Sequence, residues 1–167
     1  MSTLKSREEM NELYTWDLTS MYADDAAQEA DAEAVKAMFP KLAEFSGKLA
    51  EGPEVLADAL DLIGETARKM SNVYVYAHLK NDQDATNSTY QEMYAKATQL
   101  YGQFGETIAY FEPELNTIPE ATLTQFIEEN DRLKHYQQHL DNMVRGRAHV
   151  LPQEQELLLA QASEVFQ

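Results

Sequence analysis

The sequence has no cysteine, only six glycines and five prolines, and thirteen basic residues against twenty-nine acidic ones. Each shortage removes a class of protein. Without cysteine there can be no disulfide framework and no thiolate metal site, and the lack fits a reducing, cytoplasmic setting. Scarce glycine and proline, with no sustained apolar–polar alternation, leave little from which to build hairpin turns or strands. An all-α fold is the expectation. The net charge of −16 and a pI near 4.5 weigh against nucleic acid or an anionic membrane as partner. No apolar run is long enough to span a bilayer. The opening Met-Ser-Thr-Leu-Lys-Ser-Arg leads into acidic and polar residues rather than the apolar core of a signal peptide.

What remains is ample for a core. Hydrophobic residues make up 44% of the 167 residues and aromatics 10%. The apolar positions recur at helical spacing. In the first segment Ala27, Ala30, Ala34, Met38, Leu42, Phe45 and Leu49 form a narrow stripe, with Asp24 or Asp25 as cap. Pro40 should kink or break that helix near Phe39. A second helix is expected from Pro53, its core face running Leu56, Leu60, Ile63, Ala67, Met70, Tyr74 and Ala77. The polar stretch Asn81 to Asn87 turns the chain. Tyr90, Met93, Ala97, Leu100, Phe104, Ile108 and Phe111 then share one face of a third long helix, started by a capping box of Ser88 and Gln91. The expected architecture is an antiparallel helical bundle built around this long helical hairpin.

Shorter helices follow, one carrying Leu123, Phe126 and Ile127 and another Leu133, Tyr136, Leu140, Met143 and Val144. Pro152 opens a last segment with Leu157, Leu158, Ala162, Val165 and Phe166 on its apolar face. That pattern is still running at Gln167, which leads us to expect a fragment of a longer protein.

Few residues suggest chemistry. Asp82, Asp84 and Asn87 hint at a calcium loop, but Asn87 and Met93 stand where the loop needs Gly and Glu. A hydrogen-bonded turn is the simpler reading. His135 and His139 lie one helical turn apart, a zinc-ligand spacing. The residue after His135 is Tyr136 instead of the glutamate base, and neither His78 nor His149 can be assigned as third ligand, so surface histidines are the simpler reading. Trp16, beside Leu18, reads as a packing anchor rather than a stacking platform. Most of the nine tyrosines fall at core spacing. Tyr76, Tyr101 and Tyr110 do not, and mark either a second buried face or a partner surface. No nucleophile elbow or phosphate-binding glycine loop is present, and no catalytic, cofactor-binding or metal-binding residue is assigned.

Several blocks, in order along the chain, resemble the amino-terminal region of oligoendopeptidase F, a zinc peptidase family related to thimet oligopeptidase. They are Tyr14-Thr-Trp16-Asp-Leu18-Thr, Pro40-Lys-Leu42-Ala-Glu-Phe45-Ser-Gly47-Lys-Leu49, and Tyr74-Val-Tyr76-Ala-His78-Leu-Lys-Asn-Asp82-Gln-Asp84. Phe111-Glu-Pro113-Glu and His149-Val-Leu-Pro-Gln-Glu154-Gln-Glu156-Leu157-Leu-Leu-Ala160 complete the set. Ala85 and Pro152 depart from the family pattern, which more often has Thr and an acidic residue or Ser there. The resemblance implies an extended lead-in over residues 1–22 and a helical lobe over 23–167, whose catalytic domain is absent. It implies zinc in the parent enzyme and none in this chain, since no His-Glu-x-x-His occurs here and no family catalytic residue maps onto it. The lobe would wall a channel for short peptides, its partner being the missing catalytic domain. The exposed docking face would also permit a homodimer. A stand-alone acidic helical module that binds a protein or peptide is the competing reading.

Overall fold

The computed structural model describes residues 9–147, and every regular element among them is helical. A single 3-10 turn at Glu12–Tyr14 precedes α1 (Asp25–Lys36), α2 (Phe39–Ala43), α3 (Pro53–Gln83), α4 (Ser88–Ile108), α5 (Phe111–Thr117), α6 (Glu120–Glu129) and α7 (Asp131–Gly146). The segment opened by Pro152, with Leu157 to Phe166, and the block around His149 lie outside the described residues. No helix among the described residues is long and apolar enough to cross a membrane.

Of the described residues, those up to Ser46 and Asp58–Tyr110 form one compact unit, while Gly47–Ala57 and those from Phe111 form another. The core of the first unit gathers Val35, Leu42, Met70, Val73, Ala77, Ala97, Leu100 and Phe104 from α1 to α4. From the stripes expected for α3 and α4 the core takes Met70, Ala77, Ala97, Leu100 and Phe104, with Ile63, Ala67, Tyr74, Met93 and Ile108 half-buried against it. Phe39 stacks on Phe104 with ring centroids 6.3 Å apart, which seats α2 against α4. In the second unit Leu115, Ile118, Leu123, Leu133 and Leu140 are almost wholly removed from water, and α6 and α5 both pack on α7.

The termini of the helices follow from capping chemistry. Asp24, extended at φ −159°, accepts from the Ala27 amide at 2.8 Å and starts α1. Pro40 marks the expected break. α1 stops at Lys36, and the proline sits in the first turn of α2, where no amide is needed. The start of α4 differs from expectation. Asn87 rather than Ser88 is the cap, its side-chain oxygen accepting from Thr89 and Tyr90, while Gln91 donates to the Ala85 carbonyl at 2.7 Å. Extended backbone at Asn87 (φ −79°, ψ 110°) lets its short amide reach forward, and Ser88 is already helical. α4 also ends earlier than expected, at Ile108, and Phe111 opens a helix of its own with Pro113 in its first turn.

The α1 stripe is a further correction. Ala30 and Ala34 are exposed, and the buried face runs through Gln28, Ala32 and Val35. Alanine carries too little apolar area to decide which face of a helix turns inward, so one Val in the right place outweighs several alanines.

Candidate functional site

A cavity of about 520 Å3 lies in the first unit, between α1 and α4, floored by Val73 of α3. Its apolar base also includes Ala32, Met93, Ala97 and Leu100, all members of or packed against the unit's core. Above that base stand Asp25, Glu29, Glu33 and Glu92 on one side of the balance and Lys36 and Lys96 on the other. Glu92 and Lys96 pair at 2.8 Å, one helical turn apart, and this holds the Glu92 carboxyl below its usual range.

Gln28 is the least expected wall residue. It is 4% exposed, and its Nε2 donates to the Val73 carbonyl at 3.2 Å. That carbonyl belongs to a helix whose own ladder already uses it, so the bond ties α1 to the middle of α3. Nothing in the sequence pattern marks Gln28, since glutamine belongs among the residues usually found outside.

One end of the groove is braced by an aromatic and ionic network. Asp25 Oδ1 accepts from the Tyr76 hydroxyl at 2.7 Å and from Lys80 Nζ at 3.0 Å. Lys80 also lies 4.6 Å from the Tyr90 ring centroid, within cation–π range. Burial, helped by the bond to Asp25, pushes the Tyr76 hydroxyl up to about 12. Tyr22 packs edge-on against Tyr76 at 5.3 Å and donates to Asp31 at 2.7 Å; burial first and that bond second push its hydroxyl higher still. Asp31 receives Lys69 at 2.9 Å as well. Partial burial of Asp31 opposes its ionisation, but the two hydrogen bonds and the lysine charge win and lower its pKa.

The three tyrosines singled out for falling off the stripes separate. Tyr76 is buried in this network, Tyr110 donates to the Leu42 carbonyl at 2.7 Å, and Tyr101 is 55% exposed. Tyr101 belongs to a surface group with Tyr74, His78 and Tyr94, whose ring centroids lie 5.1 to 6.0 Å apart. Trp16 departs from expectation. It is 54% exposed, and what the fold holds is its backbone oxygen, which accepts from Gln83.

The histidine and acidic candidates are not drawn together. His135 and His139 are both exposed on α7, and His78 makes a loose ion-pair contact with Asp82 at 3.7 Å. His149 lies outside the described residues. Among the described residues no three His, Asp or Glu side chains converge as a metal would require. Asp84 serves the turn instead, accepting from the amide and hydroxyl of Thr86 at 3.1 and 2.7 Å.

In the second unit two carboxylates act as ties. Glu114 accepts from the amides of Gly47 and Leu49, both at 2.7 Å. Glu54 accepts from the buried Asn130 at 2.9 Å and from Arg132 at 2.6 Å, just where Asn130 caps α7. Arg147 donates to the carbonyls of Leu115 and Ile118 and to Asn116, closing the end of α5.

The first unit is thus all-helical and carries a surface groove, and among the described residues no ligand set converges. Comparison with known proteins places it. A family model described as Oligopeptidase F matches residues 114–167. The chain is 38% identical over 98% of its length to Oligopeptidase PepF of Bacillus subtilis and 37% identical over 96% to Group B oligopeptidase PepB of Streptococcus agalactiae. It spans 24% and 27% of those relatives' own lengths. The crystal structure of oligoendopeptidase-F from Enterococcus faecium superposes with a TM-score of 0.72 at 34% identity, covering 86% of this chain and 28% of that one. The chain is thus similar to an amino-terminal part of oligoendopeptidase F proteins.

Proposed function

We propose that this chain is the non-catalytic amino-terminal lobe, residues 23–167 behind a lead-in over 1–22, of a zinc-dependent oligoendopeptidase that hydrolyses short peptides. The observation that carries the reading is a similarity over nearly the whole chain to about a quarter of each peptidase relative. In the parent protein a catalytic domain would supply zinc through His-Glu-x-x-His, a motif this sequence does not contain. Zinc there would polarise the scissile carbonyl and the bound water. The residues of this chain would do something else. Rigid helices braced by Asp25, Tyr76 and Lys80 would form a wall that admits extended peptides and excludes folded proteins. The setting would be cytoplasmic, and an uncovered docking face would let two copies associate.

The test adds zinc to the purified chain, measures bound metal, and assays a quenched oligopeptide before and after mixing with the remainder of the longer protein. We expect no turnover from the chain alone and recovery on mixing. Stoichiometric zinc with turnover by the chain alone, lost in His135→Ala, would overturn the assignment.

A further inference from the structure

We propose that the groove between α1 and α4 holds an extended oligopeptide by a lysine or arginine side chain, which deepens the peptidase reading above by naming a substrate class. The groove's walls are the right length. α1 is 12 residues long, about 18 Å at 1.5 Å per residue, which matches roughly five residues of extended peptide at 3.3–3.6 Å each. Its base is apolar and its rim polar, as small-ligand sites require.

Two independent features select a cationic donor. The first is charge. Acids outnumber bases on the rim, and of the acids Asp25 is held by Lys80 and Glu92 by Lys96. Glu29 and Glu33, one turn apart on α1, are held less closely: Glu29 acts on Lys96 without a close contact, and Lys36 shares their rim, which still leaves the acids in excess. The second is Gln28. Its Nε2 is spent on Val73, while its Oε1 has no hydrogen-bond partner among the described residues. No sealed side-chain oxygen or nitrogen among them lacks a partner, so Oε1 keeps some exposure, in a residue that lines the groove. A carbonyl oxygen fixed in a 4% exposed side chain is an acceptor waiting for an N–H donor. An ammonium or guanidinium would satisfy it while its charge meets Glu29 and Glu33.

The experiment uses the full chain and fluorescein-labelled pentapeptides, alanine throughout except for a central Lys, norleucine or Glu. Anisotropy should rise with the Lys peptide, less with norleucine and not with Glu. Glu29→Gln/Glu33→Gln should weaken the Lys peptide roughly three- to tenfold, the scale two partly solvated charges supply. The equal-charge control Glu65→Gln/Glu128→Gln, at two exposed sites away from the groove, should leave it unchanged. Gln28→Met should weaken the Lys peptide and leave the norleucine peptide unchanged. Equal binding of the three peptides, or equal weakening in the two double variants, would overturn the proposal by reducing it to bulk attraction to a −16 chain. Cleavage of the Lys peptide by the longer protein, without binding here, would refute the groove alone. Absence of any cleavage by that protein would refute the peptidase reading.

Discussion

Replacing Glu114 by alanine should cost the second unit about 2–4 kcal/mol, and the structure says where that figure comes from. The carboxylate receives two short amide bonds, each 2.7 Å, from Gly47 and Leu49. Charge-assisted bonds of this kind are worth about 1.5–3 kcal/mol when desolvated and less when water can replace them. The Leu49 amide is partly buried and Leu49 itself fully so, which puts that bond at the upper end. The Gly47 amide is exposed and recovers most of its loss by hydration, adding about 0.5–1 kcal/mol. The turn being held is one that only glycine enters easily, since Gly47 has φ +81°. The assay is urea denaturation followed by far-UV circular dichroism, with hydrogen exchange of the Leu49 amide as the local probe. Glu112→Ala, on the same helix but exposed, removes the same charge without the bonds. Glu114→Gln keeps both oxygen-bearing geometry and one acceptor, so it should recover part of the loss. A Glu114→Ala variant no less stable than Glu112→Ala, with unchanged Leu49 exchange, would refute the reasoning.

Gly47→Ala should lose about 1–2 kcal/mol from left-handed backbone strain alone, because a Cβ there meets nothing within 4 Å; equal stability in urea would contradict it. Asn130→Ala removes the α7 cap and the donor to Glu54 together and should cost about 1.5–2.5 kcal/mol, whereas Asn130→Ser, which keeps the cap, should cost less than half of that. Faster exchange of the Arg132 and Leu133 amides is the local check on that pair. The Tyr76 proton supplies a pH test. Its folded pKa of about 12 exceeds the ordinary value of 10, so its contribution is complete below pH 10 and drains away as pH rises toward 12. Ultraviolet titration of tyrosinate should lose a late-ionising group in Tyr76→Phe, and that variant's stability should fall less steeply over the same window. Asp31 works in the opposite direction, since its lowered pKa means a contribution lost as pH falls below the usual carboxylate value; Asp31→Asn should flatten the acid limb of the stability curve.

Where the chain's apolar residues are large, its helices could be read from spacing. Leu56, Leu60 and Met70 on α3 and Leu100 and Phe104 on α4 all face inward as their period requires. Pro53 announced a helix start and Pro40 a break, because a ring without an amide proton suits a first turn and interrupts a helix interior. Two of the misreadings share a cause, which is that short polar or weakly apolar side chains take their roles from neighbours. Ser88 and Asn87 are both good caps, and the choice between them is made by the backbone angle at which the turn after Asp84 arrives. Ala30 and Ala34 lost their face to Val35 for want of area.

The site residues were legible as a motif but not as a mechanism. The block from Tyr74 to Asp84 carries Tyr76 and Lys80, and only the fold reveals that both reach Asp25, some fifty residues earlier. The same holds for the blocks ending in Leu49 and beginning at Phe111, which Glu114 stitches together through two amides. Family blocks that looked like separate signatures are therefore the two ends of single hydrogen bonds. Gln28 had no signature at all, because a buried glutamine is justified only by the carbonyl it meets. The physical reason for such a block lies across the fold, in the partners that its side chains meet.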